Sequence, residues 1–195
     1  NAAGLVCGDD FRFGDWGRGT AQGLAQICAQ DGIPCQVIPQ VWKDGAVVSS
    51  TRIRALIELG QMGTAVELLG HPYVLTGLAE PCPRYGVPGL TAAKIMLPKE
   101  LVVPKFGLYV CRCRVDGNSY EGVAHVGTQP TAAGIGITVA PWVIDCPVKL
   151  AGREITLEFY KFLRPDRNFR TREALGQDIL RNTAIAREFF RKEKP

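Results

Sequence analysis

Hydrophobic positions change their period once along this chain. Up to about residue 70, short apolar runs alternate with helix-spaced stripes. Leu5–Cys7 is a brief apolar strand leading into a Gly- and Asp-rich loop, residues 8–19. Thr20 is placed to cap a helix to about Gln30, with Leu24, Ile27 and Cys28 on one face and Gly32 as its stop. Cys35–Val41 is a second apolar strand. The next helix follows Ser49, Ser50 and Thr51, buries Ile53, Leu56 and Ile57, and ends at Gly60. Thr64 and Glu67 have capping-box spacing for one more short helix, closed by Gly70 and Pro72. Strand–helix–strand–helix order predicts a parallel sheet.

From Tyr73 to Leu163 no long helical stripe appears and turn signals recur. Leu108–Val115 and Ser119–Val126 flank Asp116-Gly117, the strongest hairpin cue present. A second hairpin is expected near Ala151-Gly152, beyond which Ile155, Leu157 and Phe159 alternate with polar residues. A last helix starts at Thr171, with Leu175, Ile179, Ala186 and Phe190 along one stripe. The pattern predicts two units: an α/β piece over residues 1–70, and from residue 73 an antiparallel β barrel or sandwich with a C-terminal helix.

Composition narrows the class. The 195 residues are 46% hydrophobic and 22% charged, as in ordinary globular proteins. No apolar run approaches the roughly 18 residues of a membrane span. The net charge of +4 suits a phosphorylated ligand and is too weak to argue for nucleic acid. The seven cysteines (7, 28, 35, 82, 111, 113, 146) contain no Cys-x-x-Cys pair, which argues against a zinc site and for a reducing cytoplasm. Cys111 and Cys113 alternate on a strand and share a face as small apolar residues. The first residue is Asn rather than Met and opens on a short strand, so the chain reads as the later portion of something longer.

Ser49-Ser50-Thr51-Arg52-Ile53-Arg54 places three hydroxyls, free backbone N–H groups and two arginines at one helix start. That is phosphate-binding chemistry, although alone the string also fits a redundant N-cap. Upstream lies Gly8-Asp9-Asp10-Phe11-Arg12-Phe13-Gly14. Together these strings resemble two signatures of the bifunctional riboflavin kinase/FAD synthetase family, a G-x-D-F-R-F-G loop and an S-S-T-R-x-R helix start. The resemblance continues through Gly70-His71-Pro72-Tyr73. It resumes at Gly122–Thr131, close to the family's G-V-A-N-I-G-T-x-P-T, and again at Phe162–Phe169.

The resemblance implies a partial Rossmann-like nucleotidyltransferase module over 1–70 and a riboflavin-kinase-like β barrel with its helix over 73–195. It also implies ATP and Mg²⁺, with riboflavin and FMN as substrates. Ser49, Ser50, Thr51, Arg52 and Arg54 become nucleotide-phosphate candidates. Asp10, Phe11, Arg12, Phe13, Arg164, Asn168 and Phe169 become flavin candidates.

Several family positions depart from the pattern. The transferase H-x-G-H string does not occur, and the two histidines, His71 and His125, lie far apart. Where the family carries G-x-P-T-A-N, this chain has Gly89–Lys94, so Ala92 stands at the Thr and Lys94 at the Asn. Alanine offers no oxygen to Mg²⁺, and lysine adds a competing charge. Thr91 could slide into the Thr role. Residues 80–86 carry prolines where a phosphate cradle needs N–H groups. The family's glutamate base falls near Ala140, and no carboxylate lies from Thr131 to Ile144. These substitutions predict that this chain alone is inactive, as a portion of a flavin-cofactor biosynthesis protein. The alternatives are a non-catalytic flavin- or nucleotide-binding pseudo-kinase module and a plain interaction domain.

Overall fold

The computed structural model describes residues 2–82, 87–98, 100–131 and 134–193. The chain divides into two compact units, Asn1–Ser50 and Thr51–Pro195.

In the first unit the elements are β1 (Leu5–Gly8), β2 (Arg12–Phe13), β3 (Gly19–Thr20), α1 (Ala21–Gln30), β4 (Cys35–Ile38), β5 (Trp42–Lys43) and β6 (Ala46–Val47). β1 and β4 pair in parallel, with Leu5 opposite Cys35 and Cys7 opposite Val37, as the strand–helix–strand order predicts. The Thr20 hydroxyl caps α1 by accepting from Gly23 N at 3.1 Å. Cys28 is buried, but Ile27 is 49% exposed, contrary to the expected face. A sheet of two strands is too narrow to cover the full apolar stripe of α1.

The remaining elements are α2 (Ser50–Glu58), α3 (Met62–Leu69), β7 (Tyr73–Leu78), β8 (Leu90–Ala92), β9 (Ile95–Met96), β10 (Gly107–Val115), β11 (Asn118–Thr131), β12 (Gly134–Ile144), β13 (Glu154–Pro165) and α4 (Arg172–Glu193). The expected Thr64–Glu67 capping box does not form. α3 starts three residues earlier, at Met62, and its N-cap Gln61 makes no side-chain cap bond. Gly70 closes α3 at φ 74°, a left-handed conformation that glycine adopts without strain.

Seven strands form one sheet in the order β7-β13-β10-β11-β12-β8, with β9 also on β12. The β10–β11 hairpin turns at Asp116-Gly117, both at positive φ, as a type I′ turn requires. Ala151-Gly152 reverses the chain without making a hairpin, because β10 and β11 lie between β12 and β13. Its backbone bonds elsewhere, Gly152 N donating to Ala79 O at 2.8 Å. The expected barrel does not close either: the sheet is open. β8 and β9 span three and two residues, and a single bridge, Glu80 with Lys94, links them toward the β7 end.

Alternation along the strands gives the sheet two cores. Tyr109, Cys111, Cys113 and Phe159 face Ile57 of α2 and Met62 and Ala65 of α3. Leu108, Val110, Ala140 and Trp142 face Ile179, Ala186 and Phe190 of α4. Cys111 and Cys113 are fully buried, and burial pushes both thiols up, Cys113 to about 12. They pack as small apolar groups. No helix among the described residues is long and apolar enough to cross a membrane.

Candidate functional site

A pocket of about 500 Å³ opens on the α4 side of the sheet. Its floor is Leu108 and Trp142, its wall Leu175 and Ile179 of α4, and its rim the segment 166–172. The Thr171 hydroxyl caps α4 by accepting from Ala174 N at 3.2 Å, which fixes where the rim ends.

Arg164, near the end of β13, lines the pocket and is 8% exposed. A buried guanidinium needs a partner, and Asp178 of α4 provides it. Arg164 Nε donates to Asp178 Oδ2 at 3.1 Å, and Nη2 donates to the same oxygen. Asn182 Nδ2 adds a bond to that carboxylate at 3.1 Å. The Arg164 guanidinium also lies 5.6 Å from the centroid of the Phe169 ring. This cluster ties the rim to the sheet, and Arg164, Asn168 and Phe169 line one pocket.

His125 of β11 and Asp166 of the rim are the pocket's proton acceptors among the described lining residues. They were not among the sequence-derived candidates. His125 Nε2 lies 2.9 Å from Asp166 Oδ1. A carboxylate only accepts, so Nε2 carries the hydrogen and donates. The imidazole lies across Gly127, where a Cβ would come within 2.6 Å of His125 Cε1. One signal was present in the sequence: a histidine where the G-V-A-N-I-G pattern has asparagine.

Ala140 is the cross-strand partner of His125. It is 1% exposed and packed in the apolar cluster beneath α4. Ala92 pairs with Trp142 in the ladder. The Thr91 hydroxyl, the one oxygen that could have slid into the metal role, donates to Cys146 O at 2.9 Å. Lys94 Nζ sits 3.1 Å from Glu80 Oε2. Among these side chains, a methyl, a committed hydroxyl and a paired ammonium, none offers a free oxygen to a divalent cation. Of the loop expected to cradle phosphate, residues 83–86 lie outside the described residues.

The other candidates lie elsewhere. α2 begins at Ser50, and Ser49, Ser50, Thr51 and Arg54 are exposed while Arg52 is half-buried. In the first unit Asp10, Phe11 and Arg12 are exposed. Phe11 stacks on Phe13 with centroids 6.1 Å apart. Phe13 lies over Gly19, where a Cβ would come within 2.6 Å of its ring.

A riboflavin kinase family profile matches residues 69–190. The chain is 31% identical over 193 residues to the bifunctional riboflavin kinase/FMN adenylyltransferase of Escherichia coli, covering 98% of this chain and 61% of that protein. It is 32% identical over 188 residues to the Pseudomonas fluorescens protein of the same name, covering 94% of this chain and 59% of that one. The chain thus spans about three-fifths of the length of these relatives. The crystal structure of a macrolide-efflux protein from Streptococcus pneumoniae shares the fold, with TM-score 0.78 and 23% identity over 92% of this chain and 58% of that one. A riboflavin kinase profile running from the end of α3 almost to the end of α4, with relatives matched across nearly the whole chain, settles the family: this chain belongs to the riboflavin kinase family and matches the C-terminal portion of its bifunctional members.

Proposed function

We propose that this chain is a portion of a flavin-cofactor biosynthesis protein, that it holds a flavin in the α4-side pocket, and that alone it transfers no phosphoryl group. The carrying observation is the pocket itself: an apolar floor of Leu108 and Trp142, an aromatic ring at Phe169, and polar edges at Asn168 and Arg164. A planar ring system with a polar rim suits that combination of apolar surface and convergent polar groups.

The complete protein would convert riboflavin to FMN and FMN to FAD with ATP and Mg²⁺, in a reducing, cytoplasmic setting that suits seven free thiols. In this reading residues 1–70 belong to the adenylyltransferase module and 73–195 to the kinase module. Asp10, Phe11, Arg12 and Phe13 would meet flavin in the adenylyltransferase reaction. Ser49, Ser50, Thr51, Arg52 and Arg54 would bind nucleotide phosphate. With no H-x-G-H string, the isolated chain would make no FAD.

A second reading, a non-catalytic pseudo-kinase module, draws on one specific observation. Lys94 is paired with Glu80, and Ala92 and Ala140 offer no oxygen, at three positions where the family pattern has polar ligands. Phosphoryl transfer depends on positioning and metal electrostatics, and both are weakened here.

Titration of riboflavin and FMN against the tryptophan fluorescence of the chain tests the proposal. Saturable quenching is expected, and Phe169→Ala and Asn168→Ala should weaken it about tenfold or more. Unchanged affinity in both variants would place the flavin elsewhere, and absence of binding would remove the flavin reading.

A further inference from the structure

We infer, resting on the flavin reading of the α4-side pocket, that His125 is a positioning residue: by donating to Asp166 it holds the rim against the sheet and so places Asn168 and Phe169 for the flavin. Ladder pairing sets Ala140 of β12, His125 of β11, Leu108 of β10 and Arg164 of β13 in one row across the sheet. Directly paired residues share a face, and Leu108 and Ala140 both belong to the apolar cluster beneath α4. The imidazole therefore stands on the pocket side, where it joins the lining.

β13 ends at Pro165, and Asp166 is the first residue of the rim. β10 lies between β13 and β11, and ordinary strand spacing then puts β11 roughly 10 Å from β13. The His125–Asp166 bond, at 2.9 Å, spans that gap. It ties the chain, just after it leaves β13, to the second strand over. The same Oδ1 accepts from Arg167 N at 2.8 Å, so one oxygen both anchors the rim and sets its first backbone step.

Little else fixes the segment. Among the described residues, no backbone–backbone hydrogen bond involves 167–170. Arg167 stands 3.9 Å from Asp178 Oδ1, and the Phe169 ring lies beside Arg164. Both contacts reach the Arg164–Asp178 pair, which leaves the β11 side of the rim to His125. The His125 and Asp166 side chains are 21% and 54% exposed. A pair that open adds little to global stability. Its loss acts locally, freeing a segment that has no backbone bonds of its own.

Trypsin reads rim opening directly, because Arg167 and Arg170 lie in the rim, while Arg164 is shielded from cleavage by Pro165. Three variants of the full chain separate the roles. His125→Leu removes the donor at similar size, Asp166→Ala removes the acceptor from an exposed position, and His125→Gln keeps an N–H at the depth of Nε2. Cleavage of the folded chain after Arg167 and Arg170 should be about fivefold faster in His125→Leu and Asp166→Ala. It should return to the parent rate in His125→Gln, with cleavage after Arg18 in the first unit unchanged as the reference. The double variant His125→Leu with Asp166→Ala should be cut no faster than the faster single. Riboflavin affinity, followed by tryptophan quenching, should fall about fivefold in the same two variants and be restored in His125→Gln.

Rim cleavage at the parent rate in either variant, or His125→Gln cut as fast as His125→Leu, would overturn the role of His125. So would faster cleavage that begins in β10, after Arg112 or Arg114, because that marks loss of the whole sheet. An opened rim with unchanged riboflavin affinity would overturn its positioning of the flavin site. Absence of quenching in every chain, the parent included, would instead overturn the flavin reading, while cleavage still decides whether His125 holds the rim.

Discussion

His125 and Ala140 stand directly opposite each other on β11 and β12, an imidazole beside a methyl. The imidazole is held by Asp166 and by the open space over Gly127, whereas Ala140 is sealed within the apolar cluster beneath α4. A carboxylate introduced as Ala140→Glu would enter low-dielectric surroundings, so its pKa would rise above the unfolded value of about 4.3. Stability associated with the protonated form is then present below about pH 4 and lost as pH rises through the raised pKa. Urea unfolding should show Ala140→Glu destabilised by overpacking at every pH and weaker by about a further 3 kcal/mol at pH 8 than in acid. Equal destabilisation at both pH values would mean that the site is wet.

The Arg164–Asp178 pair should behave as a buried, mutually dependent unit. Removing Asp178 leaves the buried Arg164 guanidinium without its carboxylate, so Asp178→Ala should cost about 3–5 kcal/mol in urea unfolding, and Arg164→Ala less, because Asp178 keeps Arg167 at 3.9 Å and Asn182 at 3.1 Å. The double variant should cost clearly less than the two single losses added together. Additive losses would show that the two groups do not hold each other.

In the proposed reading Lys94 takes the place of a cation-binding group, and its ammonium is already paired with Glu80. Nucleotide binding to this chain should therefore gain nothing from Mg²⁺. Calorimetric titration of ADP should give the same affinity, within about twofold, with and without the metal. The double substitution Ala92→Thr with Lys94→Asn should introduce a preference for the metal complex. A strong Mg²⁺ requirement in the unsubstituted chain would contradict the side-chain fit described above.

Alkaline pH should weaken the fold. Burial raises Tyr73 from 10 to about 12 and Cys113 from 9 to about 12. Because folding raises these values, the stability they contribute is complete below the unfolded pKa of each group. It is lost as pH climbs from there through the folded value. Each such group steepens the decline by up to about 1.4 kcal/mol per pH unit. Urea midpoints should be level from pH 7 to 8.5 and fall steadily by pH 10.5. A flat profile to pH 10.5 would mean that these groups ionise in place.

Local features were legible in the sequence because local rules govern them. Asp116-Gly117 dictates a two-residue turn whatever surrounds it, and Thr20 and Thr171 cap the helices that follow them. Partnering over distance was not legible. Gly152 marks a reversal, but nothing near it says that β13 will pair with β7 and β10 rather than with β12. The short β8 and β9 likewise hide that the sheet stays open. The pocket divides in the same way. Arg164, Asn168 and Phe169 are close in sequence and carried by one motif. His125 and Asp166 are separated by 41 positions and meet only through the fold. Asp178 reads as an ordinary helix residue until Arg164 is seen against it.

The most direct measurement incubates the chain with riboflavin, ATP and Mg²⁺, separates protein-bound from free flavin, and identifies both by chromatography. The account predicts riboflavin retained by the protein, less of it retained by Phe169→Ala, and no FMN above the protein-free control. FMN accumulating in proportion to the chain, and abolished by Phe169→Ala, would contradict it by showing that phosphoryl transfer survives with alanine at 92 and 140 and lysine at 94.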